Sequence, residues 1–350
     1  MKKSRTAAGF AILAAALYAV NVPLSKILIQ YVEPTMMAAF LYLGAGVGLS
    51  ICRGVEMLLG KDYKREPLTK KEFPYVAAMV LLDIAAPILL MFGISMTTSA
   101  NVSLLNNFEI VATSLIALLI FHEVLSKRLW VAIGLVTLAS VILGFEGTES
   151  LAFHRGSLFV LGACICWGFE NNCTRMLSSK SSVEIVVIKG CFSGLGSLIV
   201  AKLLGEAIPE IRWILPVLLL GFVAYGLSIH FYILAQKELG AAKTSAYYSI
   251  APFLGVAFSV LLLGEHPQMR FYVALAIMAV STWLMVKDTI ALQHTHEHQH
   301  IHTHEHRHGN MVHSHEHSHE HTHMHVHGED SQQHLHGHEE LGNHNHAHFS

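Results

Sequence analysis

Six ionisable residues stand inside stretches that are otherwise apolar: Lys26, Asp83, Glu109, Glu170, Lys189 and His230. A charge at the centre of a bilayer costs at least about 2.5–3.5 kcal/mol on insertion scales, so each must face protein or a water-filled cavity. Two of them come with polar companions at helical spacing. Asn106, Glu109 and Thr113 recur at intervals of three and four and would share one helix face, and Trp167, Glu170, Asn171 and Thr174 would do the same on another. A carboxylate at that depth can hold a proton and a protonated amine in turn as a cavity opens to either side, which is the task of a carrier. The alternative is that Lys26 or Lys189 neutralises Glu109 and locks two helices together. Asp83, four residues before Pro87, reads first as support for a kink. His230 is an interhelical hydrogen-bonder or a ligand, and Tyr248, with Tyr247, fills core or stacks on a solute. The candidate solute-binding set is Lys26, Asn106, Glu109, Thr113, Trp167, Glu170, Asn171, Lys189, His230 and Tyr248.

A second chemistry is written in residues 294–350. Of the 26 His in the chain only His122, His154, His230 and His266 precede Gln293. Beyond it every second residue is His over two stretches: His294, His296, His298, His300, His302, His304, His306 and His308, then His313, His315, His317, His319, His321, His323, His325 and His327. In an extended chain residues two apart point the same way, so neighbouring imidazoles can close on one borderline-soft cation such as Zn, Ni or Co. Imidazole is largely unprotonated at neutral pH, which leaves lone pairs for a metal. A proton buffer is the other use of such a run. Low complexity and scarce apolar anchors predict a tail that is disordered without metal.

The elements that must position these groups follow from composition. The 350 residues are 53% hydrophobic and only 14% charged, which excludes a single water-soluble core. A hydrocarbon layer of about 30 Å needs roughly 20 helical residues, and ten apolar runs approach that length, at 7–32, 35–52, 75–97, 100–121, 129–145, 156–177, 183–204, 211–235, 241–263 and 271–287. Breaks carrying Pro, Gly or charge separate them, as at Val32-Glu33-Pro34 and Gly264-Glu265-His266-Pro267. With the N-terminus in the cytoplasm, Lys2, Lys3, Arg5, Lys61, Lys64, Arg65, Lys127, Arg128 and Lys287 all fall inside, and only Arg155, Lys202, Arg212 and Arg270 fall outside. Both termini are then cytoplasmic, in the inner membrane of a bacterium. The basic, Ala-rich start has the look of a secretory signal, but its apolar run is too long for one and reads as a retained first helix. Five Cys, all in apolar runs, argue against a disulfide framework. Gly44, Gly48 and Gly190, Gly194 have the small-xxx-small spacing that lets helices approach closely.

The chain repeats itself weakly. Ala-Asn-Val-Ser at 100–103 matches Ala-Lys-Thr-Ser at 242–245, Phe-His-Glu123 matches Leu-Gly-Glu265, and Arg128-Leu-Trp-Val-Ala matches Arg270-Phe-Tyr-Val-Ala. Earlier, Tyr18-Ala-Val-Asn21 through Lys26 matches Trp167-Gly-Phe-Glu170 through Arg175. Two five-helix halves follow, and because five is odd the second enters the membrane inverted. In these residues the chain resembles the drug/metabolite transporter superfamily, EamA type. The resemblance covers about 7–288, with the first repeat at 7–146 and the second at 155–288, and leaves out the tail at 294–350. It implies an all-α membrane protein of ten helices that exports a small organic metabolite or drug by alternating access. Membrane lipid and a small-molecule solute are then the partners, with divalent transition metals at the tail, no cofactor for transport, no nucleic acid, and a homodimer as an allowed assembly. Two other readings stay open: a Zn, Ni or Co transporter fed by the tail, and a membrane-anchored metal buffer or sensor. No phosphate-binding loop, nucleophile elbow or HExxH helix is present to support an ATP-driven pump or an enzyme.

Overall fold

The computed structural model describes residues 2–58, 69–121, 125–144, 154–177, 181–239, 244, 247–308 and 311–326. These form two compact units, Met1–Ile290 and Ala291–Ser350. Among its described residues the regular elements of the first are all helices: α1 Lys2–Ala19, α2 Asn21–Leu28, α3 Pro34–Leu58, α4 Phe73–Met96, α5 Ser99–Leu105, α6 Phe108–Phe121, α7 Lys127–Gly144, α8 Arg155–Arg175, α9 Ser182–Ile188, α10 Gly194–Leu203, α11 Ile211–Gly221, α12 Ser228–Leu239, α13 Ala251–Leu263 and α14 Met269–Leu292.

Eight helical spans are long and apolar enough to cross a membrane: Thr6–Leu28, Pro34–Val55, Phe73–Met96, Ser99–Ile120, Lys127–Gly144, Val183–Leu203, Ile211–Ala235 and Met269–Asp288. The two remaining runs of the sequence reading fall short for different reasons. α8 has the length but carries Glu170, Asn171 and Asn172 on its inner turns, and α13 is apolar but only 13 residues long. α8 lies against α4 and α6, which keeps those polar groups within the protein.

Several spans are broken at depth. α1 gives way to α2 at Val20, α5 to α6 at Asn106 and Asn107, and α-helix gives way to π-helix at Lys189–Ser193 and Phe222–Leu227. At the second break Glu109 N–H donates to Asn106 and Ile110 N–H to Asn107, three residues back instead of four. Asn competes for such local bonds and interrupts helices. Asn106 therefore does not share a continuous helical face with Glu109 and Thr113, as its spacing suggested.

Close packing makes these breaks tolerable. Gly46 and Gly190 meet backbone to backbone, for a Cβ on Gly190 would lie 2.4 Å from Gly46 N. Gly44 abuts Leu218 and Gly194 abuts Leu43 in the same cluster, so the small-residue spacing serves the contact of α3 with α10 and α11. The repeats also cap one another. Glu265 accepts the backbone N–H groups of Ser99 and Ala100 at 2.7 and 2.8 Å, at the start of α5. Glu206 accepts those of Thr35 and Met36 at 3.1 and 2.7 Å, at the start of α3. A carboxylate there satisfies orphan amides and favours the positive end of the helix dipole. The matching Glu123 turn lies outside the described residues.

In the second unit β1 Gln293–His308 pairs with β2 Met311–Val326 as an antiparallel hairpin. Strict alternation is the period of a strand and not of a helix. The register sets His opposite His at seven rungs, from His294↔His325 to His306↔His313. His327 lies outside the described residues.

Candidate functional site

The breaks in the helices converge on one cavity of about 270 Å³. Its walls carry Asp83 from α4, Glu109 from α6, Trp167, Glu170 and Asn171 from α8, Lys189 at the head of the first π segment, Tyr225 in the second, and Tyr18, Tyr42 and Tyr248. A π turn inserts an extra residue and re-aims the side chains around it, and such turns recur at functional sites.

Two polar groupings share this space. In the first, Lys189 Nζ lies 2.8 Å from Glu170 Oε1 and 3.3 Å from Asp83 Oδ2. Tyr42 donates its hydroxyl to Asp83 Oδ1 at 3.1 Å, Trp167 Nε1 donates to Tyr42 at 3.4 Å, and Thr174 donates to Glu170. Asp83 and Glu170 are almost wholly buried. In the second, Asn171 Nδ2 donates to Glu109 Oε1 at 2.8 Å and to Thr113 Oγ1 at 3.2 Å, while Asn172 donates to the Thr113 carbonyl at 3.1 Å. No ion pair to Glu109 is found among the described residues. Neither lysine expected to neutralise it does so by direct contact, since Lys189 is engaged elsewhere and Lys26 donates to the carbonyls of Ile94 and Thr97 at 2.5 and 2.7 Å.

An arc of aromatic rings also lines the cavity. Tyr42 and Tyr225 have centroids 5.5 Å apart, Tyr225 and Tyr18 6.0 Å, Tyr18 and Tyr248 6.0 Å, and Tyr248 and Tyr232 5.1 Å. Asn21 donates to the Tyr225 hydroxyl at 2.9 Å and holds that ring in place.

Of the candidates read from sequence, Glu109, Trp167, Glu170, Asn171, Lys189 and Tyr248 line the cavity, and Thr113 supports it from behind through Asn171. The other three lie away from it. Lys26 lies in a separate pocket with Thr97, Asn101, His154, Glu265 and Arg270. Asn106 is buried at the end of α5, and His230 is half-buried with its ring edge-on to Phe231. Sequence reasoning missed Tyr18, Tyr42 and Tyr225 and assigned Asp83 to a kink. Tyr18 had a usable signal, because it opens the segment whose repeat counterpart begins at Trp167. In the membrane unit, among the described residues, no group of three or more His, Cys, Asp or Glu is placed to hold a metal.

Apolar spans packed around a buried polar cavity define a multi-pass helical membrane protein. The chain belongs to the EamA-like transporter family, which matches it twice, over residues 5–145 and 154–287, one match for each repeat. It is similar to an uncharacterized transporter of Methanothermobacter thermautotrophicus, 26% identical over 71% of this chain and 76% of that one. It is also similar to the uncharacterized transporter YyaM of Bacillus subtilis, 22% identical over 67% of this chain and 79% of that one. A protein of known crystal structure shares the fold with a TM-score of 0.60 and 17% identity, over 82% of this chain and 98% of that one. The family and the relatives' names are those of transporters.

Proposed function

We propose that the protein is a secondary transporter that exports a small organic metabolite or drug across the cytoplasmic membrane by alternating access. The observation that carries this reading is Glu109, a carboxylate held by Asn171 beside the cavity with no ion-pair partner among the described residues. Such a group costs free energy at membrane depth and persists where a proton or a substrate takes the counter-charge. Broken helices around the cavity support the same reading, because discontinuous helices build the mid-membrane sites of many carriers.

The proposed architecture is ten crossings in two inverted five-helix repeats with both termini cytoplasmic. The eight long spans, with α8 and α13 as the remaining two, support it, as do the paired family matches. Counterflow of metabolites into liposomes holding the purified protein tests the function. Glu109→Gln should abolish flux, or uncouple it from a pH gradient, while expression and monodispersity are kept. An unchanged flux with an unchanged pH profile would make the carboxylate structural.

The tail has a separate proposed role as a binder of Zn, Ni or Co. Its seven facing His rungs support this, since each places two imidazole-bearing residues at one register position. Transport of the metal itself is the second reading. It is disfavoured by the cavity, whose acids and amides suit organic solutes better than soft cations.

A further inference from the structure

Three acids, Asp83, Glu109 and Glu170, share the cavity with one base, Lys189. That base is already held between Asp83 and Glu170 at 3.3 and 2.8 Å. A solute carboxylate or phosphate entering the cavity would meet no uncommitted cation among the described residues, while the space it entered would be lined by carboxylate oxygens. Asp83 is fully buried and shares the Lys189 counter-charge with Glu170, which leaves Glu109 without an ion pair among the described residues. The missing component of the site is positive charge.

Much of the remaining lining is aromatic. Tyr18, Tyr42, Tyr225 and Tyr248 present rings in a continuous arc, with Trp167 beside Tyr42. Aromatic faces attract cations through the ring quadrupole and also accept a flat apolar body. Carboxylates and aromatic rings lining one cavity form a receptor for a cationic head joined to an apolar or aromatic body. A cavity of about 270 Å³ suits a body of roughly one ring.

Resting on the transporter reading, we propose that the substrates are small organic cations, amines or quaternary ammonium compounds with an apolar body. The ammonium group binds between Glu109 and the aromatic arc, and anionic and zwitterionic solutes are rejected for want of a free counter-charge.

The test uses the full-length protein in liposomes and three probes of nearly equal shape: 2-phenylethylamine as the cation, 2-phenylethanol as the neutral form and 3-phenylpropionate as the anion. The expected result is saturable counterflow of the amine alone. Glu109→Gln should weaken it about tenfold or more, Glu109→Asp should restore part of it, and Tyr18→Leu should weaken it about threefold while Tyr18→Phe does not. The proposal is overturned if the anion or the alcohol exchanges as well as the amine, or if the amine exchanges equally through the Glu109→Gln variant. Exchange of some other uncharged or anionic metabolite, with none of the amine, also overturns it but leaves the transporter reading standing. No exchange of any solute in a broad panel would remove the transporter reading itself.

Discussion

Replacing Lys189 by Met removes the only cation that, among the described residues, contacts Asp83 and Glu170 in the cavity. Lys189 is 18% exposed in its side chain, Glu170 3% and Asp83 0%, so solvent screens the pair weakly. Breaking a buried ion pair from one side costs about 3–5 kcal/mol, because an uncompensated charge is left behind. Here two carboxylates are stranded, while Tyr42 and Thr174 still hydrogen-bond them and soften the loss. The expected destabilisation is therefore at the lower end, about 3 kcal/mol, or more than a hundredfold in the folding equilibrium. Asp83→Asn placed on top of Lys189→Met removes one stranded charge and should recover about 1–2 kcal/mol, a coupling that a double-mutant cycle reads directly. Reversible unfolding in mixed micelles with increasing SDS gives the three stabilities. The reasoning is refuted if Lys189→Met is as stable as the parent, or if Asp83→Asn adds its own loss instead of giving rescue.

Further outcomes follow from the same structure. Gly44→Val puts a side chain where a Cβ alone would lie 2.1 Å from the Leu218 carbonyl, so α3 and α11 must separate and stability should fall by about 1–3 kcal/mol, measured in the same SDS titration. Deleting residues 294–350 should abolish multi-site Zn binding in calorimetry while solute counterflow survives; in the intact chain Zn affinity should fall as pH drops through about 6.5, where imidazoles gain protons and lose their donor pairs. Reporter fusions after Ser99 and Gly264 should read as outside and those after Gly60 and Gln293 as cytoplasmic, and the reverse pattern would dismantle the inverted-repeat topology.

Hydropathy alone determined that this chain lives in a membrane and nearly where its spans run, because the cost of leaving apolar residues in water is local and additive along the chain. The repeat and the buried acids were legible for the same reason: Glu109 and Glu170 stand out wherever the helices go. Pairing was not legible. Lys26 and Lys189 are equally plausible partners for a mid-membrane carboxylate in one dimension, yet Lys26 caps carbonyls 68 and 71 residues away while Lys189 reaches Asp83 and Glu170. Which cation meets which acid depends on helix rotation and crossing, set by contacts such as Gly46 against Gly190, and no local pattern encodes these. The helix breaks were likewise a tertiary outcome. Lys189–Ser193 and Phe222–Leu227 read as ordinary apolar helix, yet in the folded bundle both are π turns packed against α3, and they bring Lys189 and Tyr225 to the cavity. The aromatic arc joins Tyr18, Tyr42, Tyr225 and Tyr248 across both repeats, residues that a sequence can place only in helices and that the folded bundle gathers into one wall.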